Sequence, residues 1–293
     1  MTTVSAHGAE LPKLGFGTWE LRGDAGADMI RHAIDVGYRH FDTAQAYENE
    51  EMVGRAIRDS GKRDEIFLTT KVWPTEYRLD DFKASVLRSI DTLGTEYADL
   101  LLLHWPHPEI PMAELMDGLN WARENGFTRH IGVSNFTTDL LAEATQLSAA
   151  PLVANQVEYH PFLNQSRLLT ACETHGMALT AYCPIARGRV FSSEVIQTIA
   201  ETHGKSAGQV TLRWLVQQKP VVAIPRTSNP KRVEENFGIF DFELTDAEMA
   251  AIHGLADPKG RIVPDAEIRD AQGLQTEDGH AAAKYVPDWD PVD

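Results

Sequence analysis

The order of the residues predicts an α/β protein: a (β/α)8 barrel of the TIM type, with a short β-hairpin in front and an irregular tail behind. Three observations lead there. Stretches with apolar residues at helical spacing alternate with short apolar runs, repeatedly, along the chain. Most of the helical stretches stop at a glycine, which readily takes the left-handed conformation found just past a helix. The rival architecture, an open doubly wound sheet, usually carries Gly-x-Gly-x-x-Gly after its first strand. Here Gly15-Phe16-Gly17 lacks the third glycine and opens no helix.

The elements follow in order. Two short apolar pieces flank His7-Gly8 and predict the hairpin. Met29, Ile30, Ala33 and Ile34 have helical spacing and stop at Gly37; residues 38–43 then read as a strand. Met52, Val53, Ala56 and Ile57 make a helix ending at Gly61, before a strand over 65–72. Phe82, Val86, Leu87, Ile90 and Leu93 make a third, ending at Gly94, before a strand over 98–104. The run from Leu100 to Leu103 suits a sheet covered on both faces. Helices over 112–125, 138–147 and 165–175 alternate with strands over 129–134, 152–157 and 178–183. Two helices, 193–202 and 206–218, precede a strand at 221–225. Helices at 230–237 and 246–255 complete the pattern. This makes seven strands after the hairpin, and the eighth, the least patterned, is placed near 238–240. No Gly/Ser/Pro-rich linker divides the chain, so residues 1–293 are expected to form one barrel domain. Residues 257–293 read as a tail able to close over the barrel mouth.

Composition narrows the function. With 43% hydrophobic and 24% charged residues, the 293-residue chain is expected to fold rather than stay disordered. It carries 27 basic against 43 acidic side chains, a net charge of −16, and no basic stripe. Neither nucleic acid nor an anionic membrane is therefore an expected partner. Cys172 and Cys183 are the two cysteines, too few for a disulfide framework or a cysteine-rich zinc site, and a reducing cytoplasm fits them. The start of the chain lacks the basic-then-apolar pattern of a signal peptide. Its apolar runs are strand-sized, well short of the roughly 20 residues of a membrane span. A monomer is expected.

In a barrel of this kind the active site lies at the C-terminal ends of the strands. The polar residues there are Asp42, with Tyr47 in the following loop, then Lys71, His104, Ser134-Asn135, Gln156 and Tyr182. An ammonium at Lys71, leaving an apolar strand, needs a partner, and Asp42 can supply it. A cation beside Tyr47 would lower the tyrosine's pKa and fit it to give a proton near neutrality. His104 follows four leucines, where low dielectric favours neutral imidazole. Together the four could protonate an oxygen as it gains negative charge. No side chain supplies a hydride, so a cofactor is needed.

Plainer readings weigh against each residue alone. A strand-end lysine or tyrosine is usually solvated. His104 and His107 could suggest a metal, but Trp105-Pro106 breaks the spacing and no carboxylate or cysteine cluster accompanies them, so no metal is expected. Cys183, beside Tyr182, could be a nucleophile, yet a buried cysteine is more often inert. Trp19, Trp73 and Trp105 lie at strand ends or the hairpin exit and would wall an apolar pocket.

Read together, eight segments resemble the aldo-keto reductase family. They are LGFGTW at 14–19, GYRHFDTAQAYENEEMVGRAI at 37–57, TTKVW at 69–73, LLLHWP at 101–106, GVSNF at 132–136, NQVEYHPF at 155–162, AYCPIARG at 181–188 and IPRTSNPKRVEEN at 224–236. The resemblance covers about the first 255 residues in order, and is strongest to bacterial members acting on 2,5-diketogluconate and methylglyoxal. It implies NADPH-dependent reduction of small aldehydes and ketones. Asp42, Tyr47, Lys71 and His104 match the family's catalytic tetrad, with Tyr47 as general acid. Ser134, Asn135 and Gln156 match residues that hold the nicotinamide carboxamide, and Tyr182 the aromatic that stacks on its ring. Arg226, Thr227 and Arg232 match positions near the adenosine 2′-phosphate, and Glu235 and Asn236 positions that contact adenine. Arg226 and Thr227 stand where lysine and serine are common; arginine keeps the charge and can fork onto a phosphate. Cys183 replaces a frequent serine, and Arg187 a small residue. Arg22 or Arg187 could hold a substrate carboxylate locally. The competing expectation is a non-catalytic NADPH-binding barrel acting as a binding or structural protein.

Overall fold

In the computed structural model, residues 2–263 are described. Strands β1 (Thr3–Ala6) and β2 (Ala9–Pro12) form the antiparallel hairpin. His7 and Gly8 turn it, both at positive φ (47° and 86°), the conformation that matches the twist of two paired strands. Val4, Ala6, Ala9 and Leu11 cluster with Leu100, Leu102, Val153 and Val222, so the hairpin seals one end of the barrel interior.

Eight parallel strands follow: β3 (Phe16–Gly17), β4 (His40–Asp42), β5 (Phe67–Val72), β6 (Ala98–Leu103), β7 (Thr128–Ser134), β8 (Leu152–Glu158), β9 (Ala178–Tyr182) and β10 (Val221–Ala223). Each pairs with the next in chain order. The ring closes between its first and last strands: Gly15 N–H donates to Ala223 O at 2.9 Å, Ala223 N–H to Lys13 O at 2.9 Å, and Gly17 N–H to Pro225 O at 3.0 Å. Helices α1 (Gly23–Val36), α2 (Glu50–Asp59), α3 (Leu79–Leu93), α4 (Met112–Glu124), α5 (Thr138–Leu147) and α6 (Ser166–Thr174) each follow a strand. Helices α7 (Glu194–His203) and α8 (Ala207–Gln217) precede β10, and α9 (Pro230–Phe237) and α10 (Asp246–His253) come after it. This is the (β/α)8 architecture the alternation predicts.

The eighth strand corrects the sequence reading. Residues 238–240 are turn, not strand, and the missing member is β3 at the front. A two-residue strand is too short to show a period. The glycines just before it and at its end are there for space: a Cβ on Gly15 would stand 2.7 Å from His40 Nδ1, and one on Gly17 3.0 Å from Ile224 O.

Strand parity positions the site. Leu101 and Leu103 of β6 join the large core under the helices, while Leu100 and Leu102 join the cluster inside the barrel. On β4, Phe41 faces the helices, so Asp42 faces inward. On β5, Val72 faces outward and Lys71 inward. Of the tail expected over 257–293, residues 257–263 cross the mouth, and the remainder lies outside the described residues.

Candidate active site

At the C-terminal end of the barrel opens a cavity of about 470 Å³. Asp42, Tyr47 and His104 line it, as do Ser134, Asn135, Gln156 and Tyr182. Trp19, Trp73 and Trp105 give it apolar walls; Trp105 is buried, Trp73 half-buried, and Trp19 is 46% exposed at the rim.

Lys71 is wholly buried, and its ammonium explains how. Nζ donates to Asp42 Oδ1 at 2.5 Å and to Thr43 O at 2.8 Å, and lies 3.4 Å from Tyr47 Oη. The second Asp42 oxygen accepts from Gln156 Nε2 at 2.7 Å. Burial disfavours the ammonium, but Asp42 and then Tyr47 outweigh it, and the Lys71 pKa ends above the ordinary lysine value. Tyr47 stands on the single helical turn Gln45–Tyr47 after β4 and packs edge-on against the His104 ring, 5.7 Å between centroids. The Trp73 ring flanks His104 at 4.9 Å.

The electrostatics agree with the sequence reading at His104 and correct it at Tyr47. Burial, with help from Lys71, drives the His104 pKa well below 6.5, so the ring is neutral. Lys71 was expected to lower the Tyr47 pKa. It does pull that way, but loss of solvent around the hydroxyl is the larger effect, and the pKa ends above the ordinary tyrosine value.

Across the mouth, Asn135 adopts a left-handed backbone (φ 63°) and is well tied. Its Nδ2 donates to His104 O at 3.0 Å and Ser134 Oγ at 3.2 Å, and its Oδ1 accepts from the Tyr182 hydroxyl at 2.9 Å. Ser134 Oγ donates to Gln156 O at 2.8 Å. With both amide protons committed, Asn135 can offer a ligand only its carbonyl lone pair.

The residues expected around the adenosine end lie further out. Arg226 lines the cavity, donates from Nε to Trp19 O at 2.9 Å and pairs with Glu20 at 3.6 Å. Thr227 is buried and its Oγ accepts from Asn229 N–H. Arg232, Glu235 and Asn236 lie on α9, the first two exposed and Asn236 half-buried. The Arg232 guanidinium sits 6.0 Å above the Phe191 ring. The two arginines thus grip different neighbours. Among the described residues, no group of three His, Cys, Asp or Glu side chains is set to hold a metal. No helix there is long and apolar enough to cross a membrane.

The sequence reading missed Glu158 and Val263. Glu158 ends β8 two residues beyond Gln156, on the same face, so the strand-end rule carried one step further reaches it. Val263 lines the cavity but belongs to the tail, where no periodicity marks it.

The residues fit a reduced dinucleotide in the mouth. His104 Nδ1 is buried without a hydrogen-bond partner among the described residues, a polar atom that needs something to face. The same cavity is lined by Asn135, Gln156, Tyr182 and Arg226, which offer side-chain amides, an aromatic ring and a cation.

Comparison with known proteins identifies the class. A family model described as the Aldo/keto reductase family matches residues 13–257. The chain is 39% identical over 260 residues to an aldo-keto reductase of Mycobacterium sp. (strain KMS), covering 88% of this chain and 94% of that one. It is 39% identical over 259 residues to the methylglyoxal reductase DkgB of Yersinia pestis, covering 87% and 97%. Among solved structures, one named as a candidate 2,5-diketo-D-gluconic acid reductase B superposes with a TM-score of 0.89 at 50% identity, covering 90% and 94%. The chain belongs to the aldo/keto reductase family, and so to the oxidoreductases that act on carbonyl compounds.

Proposed function

We propose that this cavity reduces small aldehydes and ketones to alcohols with NADPH, and that Tyr47 is the general acid. The observation that carries this reading is the buried chain from Gln156 through Asp42 and Lys71 to the Tyr47 hydroxyl, which ends beside a neutral His104. When bound, the reduced nicotinamide supplies the hydride. The protein's own residues do the rest. Asp42, fixed by Gln156, holds Lys71 charged and in place. Tyr47 keeps its proton until the substrate oxygen becomes basic enough to take it, from Oη to that oxygen. The phenolate left behind is then stabilised by the ammonium 3.4 Å away. His104, kept neutral, can donate its single N–H to the same oxygen without competing for the proton. The tryptophans exclude water from the transfer.

Ser134, Asn135 and Gln156 would hold the carboxamide and Tyr182 the ring face. Arg226, Thr227, Arg232, Glu235 and Asn236 would serve the adenosine end. The names of the relatives favour small dicarbonyls or keto sugars as substrates. Purified protein mixed with NADPH and methylglyoxal should consume the reduced nicotinamide, followed by its absorbance. No consumption with methylglyoxal or any of a panel of keto sugars and aldehydes would overturn the reading.

A further inference from the structure

Among the buried carboxylates that the chemistry above does not use, Glu158 lies beside the cavity. The Glu158 side chain, at the end of β8, is completely shielded from solvent. Burying a carboxylate is costly unless donors surround it, and they do. His160 Nδ1 accepts from Phe162 N–H at 3.3 Å, which leaves the ring proton on Nε2, and Nε2 donates to Glu158 Oε1 at 2.9 Å. The main-chain amides of Ile262 and Val263 donate to Oε1 at 2.6 Å and Oε2 at 3.1 Å. Arg261 Nη1 lies 3.8 Å from Oε2. Consecutive amides converging on one anion form a nest. Burial pushes the Glu158 pKa up, but His160 and the two amides more than offset it and hold the group ionised.

The segment held this way lies across the mouth of the cavity. Val263 packs with Trp105, Trp73 and Tyr182, and forms part of the cavity lining. Just before it, Gly260 passes so close to the β8–α6 loop that a Cβ would stand 1.6 Å from Phe162 O. Arg189 donates to Gly260 O at 3.4 Å. The ladders of β8 with β7 and β9 are formed by the main chain and do not involve the carboxylate. Ile262 and Val263 belong to no strand or helix.

We propose that Glu158 is a positioning residue: its carboxylate pins residues 261–263 to the barrel mouth, so that Val263 forms the substrate-pocket wall packed against Trp105 and Tyr182. The function assigned to this wall rests on the carbonyl-reductase reading above. The wall is apolar and set beside the tryptophans, so it discriminates in favour of carbonyl compounds with an apolar substituent. A substrate as small as methylglyoxal gains little from it.

Two measurements test this. The first is amide hydrogen exchange, which needs no activity. The Ile262 and Val263 amides should be protected in the wild type, and protection should fall in Glu158→Gln, whose side chain keeps one accepting oxygen but replaces the other with an NH2 that cannot accept from the amide facing it. The second is kinetic, on variants whose melting temperatures are recorded. Glu158→Gln should raise KM for phenylglyoxal by about tenfold, the scale of losing a methyl-sized contact in an apolar pocket. Its kcat, NADPH affinity and methylglyoxal KM should stay near wild type. Gly260→Ala lifts the same segment without touching the carboxylate and should reproduce the KM change; Glu158→Asp, which keeps the charge, should recover part of it. Unchanged exchange in Glu158→Gln overturns the pin. Lost protection with an unchanged KM ratio for the two substrates overturns the role in the pocket. If the wild type reduces neither substrate nor any of the panel of keto sugars and aldehydes, the reductase reading fails, and the exchange result alone still upholds or overturns the pin.

Discussion

Tyr47 is under two opposing influences, and their balance fixes what it can do. Loss of solvent holds its proton on; Lys71 favours letting it go. Since the first is larger, Tyr47 stays protonated through the neutral and mildly alkaline range, while Lys71, with its raised pKa, stays charged. Reduction should therefore run at a nearly constant kcat from about pH 6 to pH 9, because neither group titrates in that window. A kcat that halves within it would mean that another group carries the proton. Tyr47→Phe keeps the ring and removes the donor, so kcat should fall by about 10² to 10⁴-fold with NADPH binding unchanged. A variant with more than about a tenth of wild-type kcat would remove Tyr47 from the role. Lys71→Met leaves Asp42 buried without its ammonium, and should lower the melting temperature as well as kcat. A folded Lys71→Met with full turnover would sink the network. The four side chains were legible in the sequence because each is polar at the end of an apolar run or just past it. The Gln156–Asp42 bond was not, because it joins residues 114 apart across the barrel, and no local pattern records such a contact.

At the scale of elements, most helices were legible because a glycine marks where each stops and an apolar stripe marks its buried face. α5 lacks the glycine but was still placed at its observed bounds, 138–147. β3 escaped notice because its identity lies in close approach to His40 and Ile224, which only the assembled ring reveals. The segment from β10 to α9 carries the next prediction. Arg226 reaches back to Trp19 O and Glu20, so it joins this loop to the one after β3 and its charge is partly answered inside the protein. Arg232, exposed on the first turn of α9, has no such tie to the cavity rim. The two should therefore differ. Arg232→Ala should raise KM for NADPH by roughly tenfold and leave KM for NADH nearly unchanged, the size expected of one charged hydrogen bond in partial solvent. Arg226→Ala should weaken both cofactors and also disturb Trp19. Equal effects of Arg232→Ala on the two cofactors would show that it does not read the 2′ position.

Over the whole molecule, histidines whose pKa burial lowers set a dependence on acid: the half-buried His107, His130 and His253 add to two fully buried ones. His40, below the site, has its pKa lowered chiefly by burial, with Asp42 opposing; His104 is lowered further, by burial and Lys71. In the unfolded chain both would titrate near pH 6.5. Below that pH the unfolded chain takes up protons that the folded chain refuses. Their contribution to stability is thus complete above about pH 6.5 and is lost as pH falls toward the folded values. Each group costs about 1.4 kcal/mol per pH unit in that window. Two other groups act elsewhere. Glu158, held ionised by its donors, adds a further loss only as pH falls below about 4.5. Glu50, whose pKa burial raises despite the Thr70 and Ser89 hydroxyls, works the other way: its stabilising effect belongs to low pH and is lost as pH rises. The net charge of −16 also opposes the histidines, since acid relieves self-repulsion, but most carboxylates take protons only well below the histidine window. The melting temperature should therefore fall between about pH 7.5 and pH 5.5, by several degrees for a chain of this size. His104→Gln, which cannot take the proton, should flatten that slope. A slope unchanged in His104→Gln would place the acid sensitivity in other groups and would mean that burial does not keep His104 neutral.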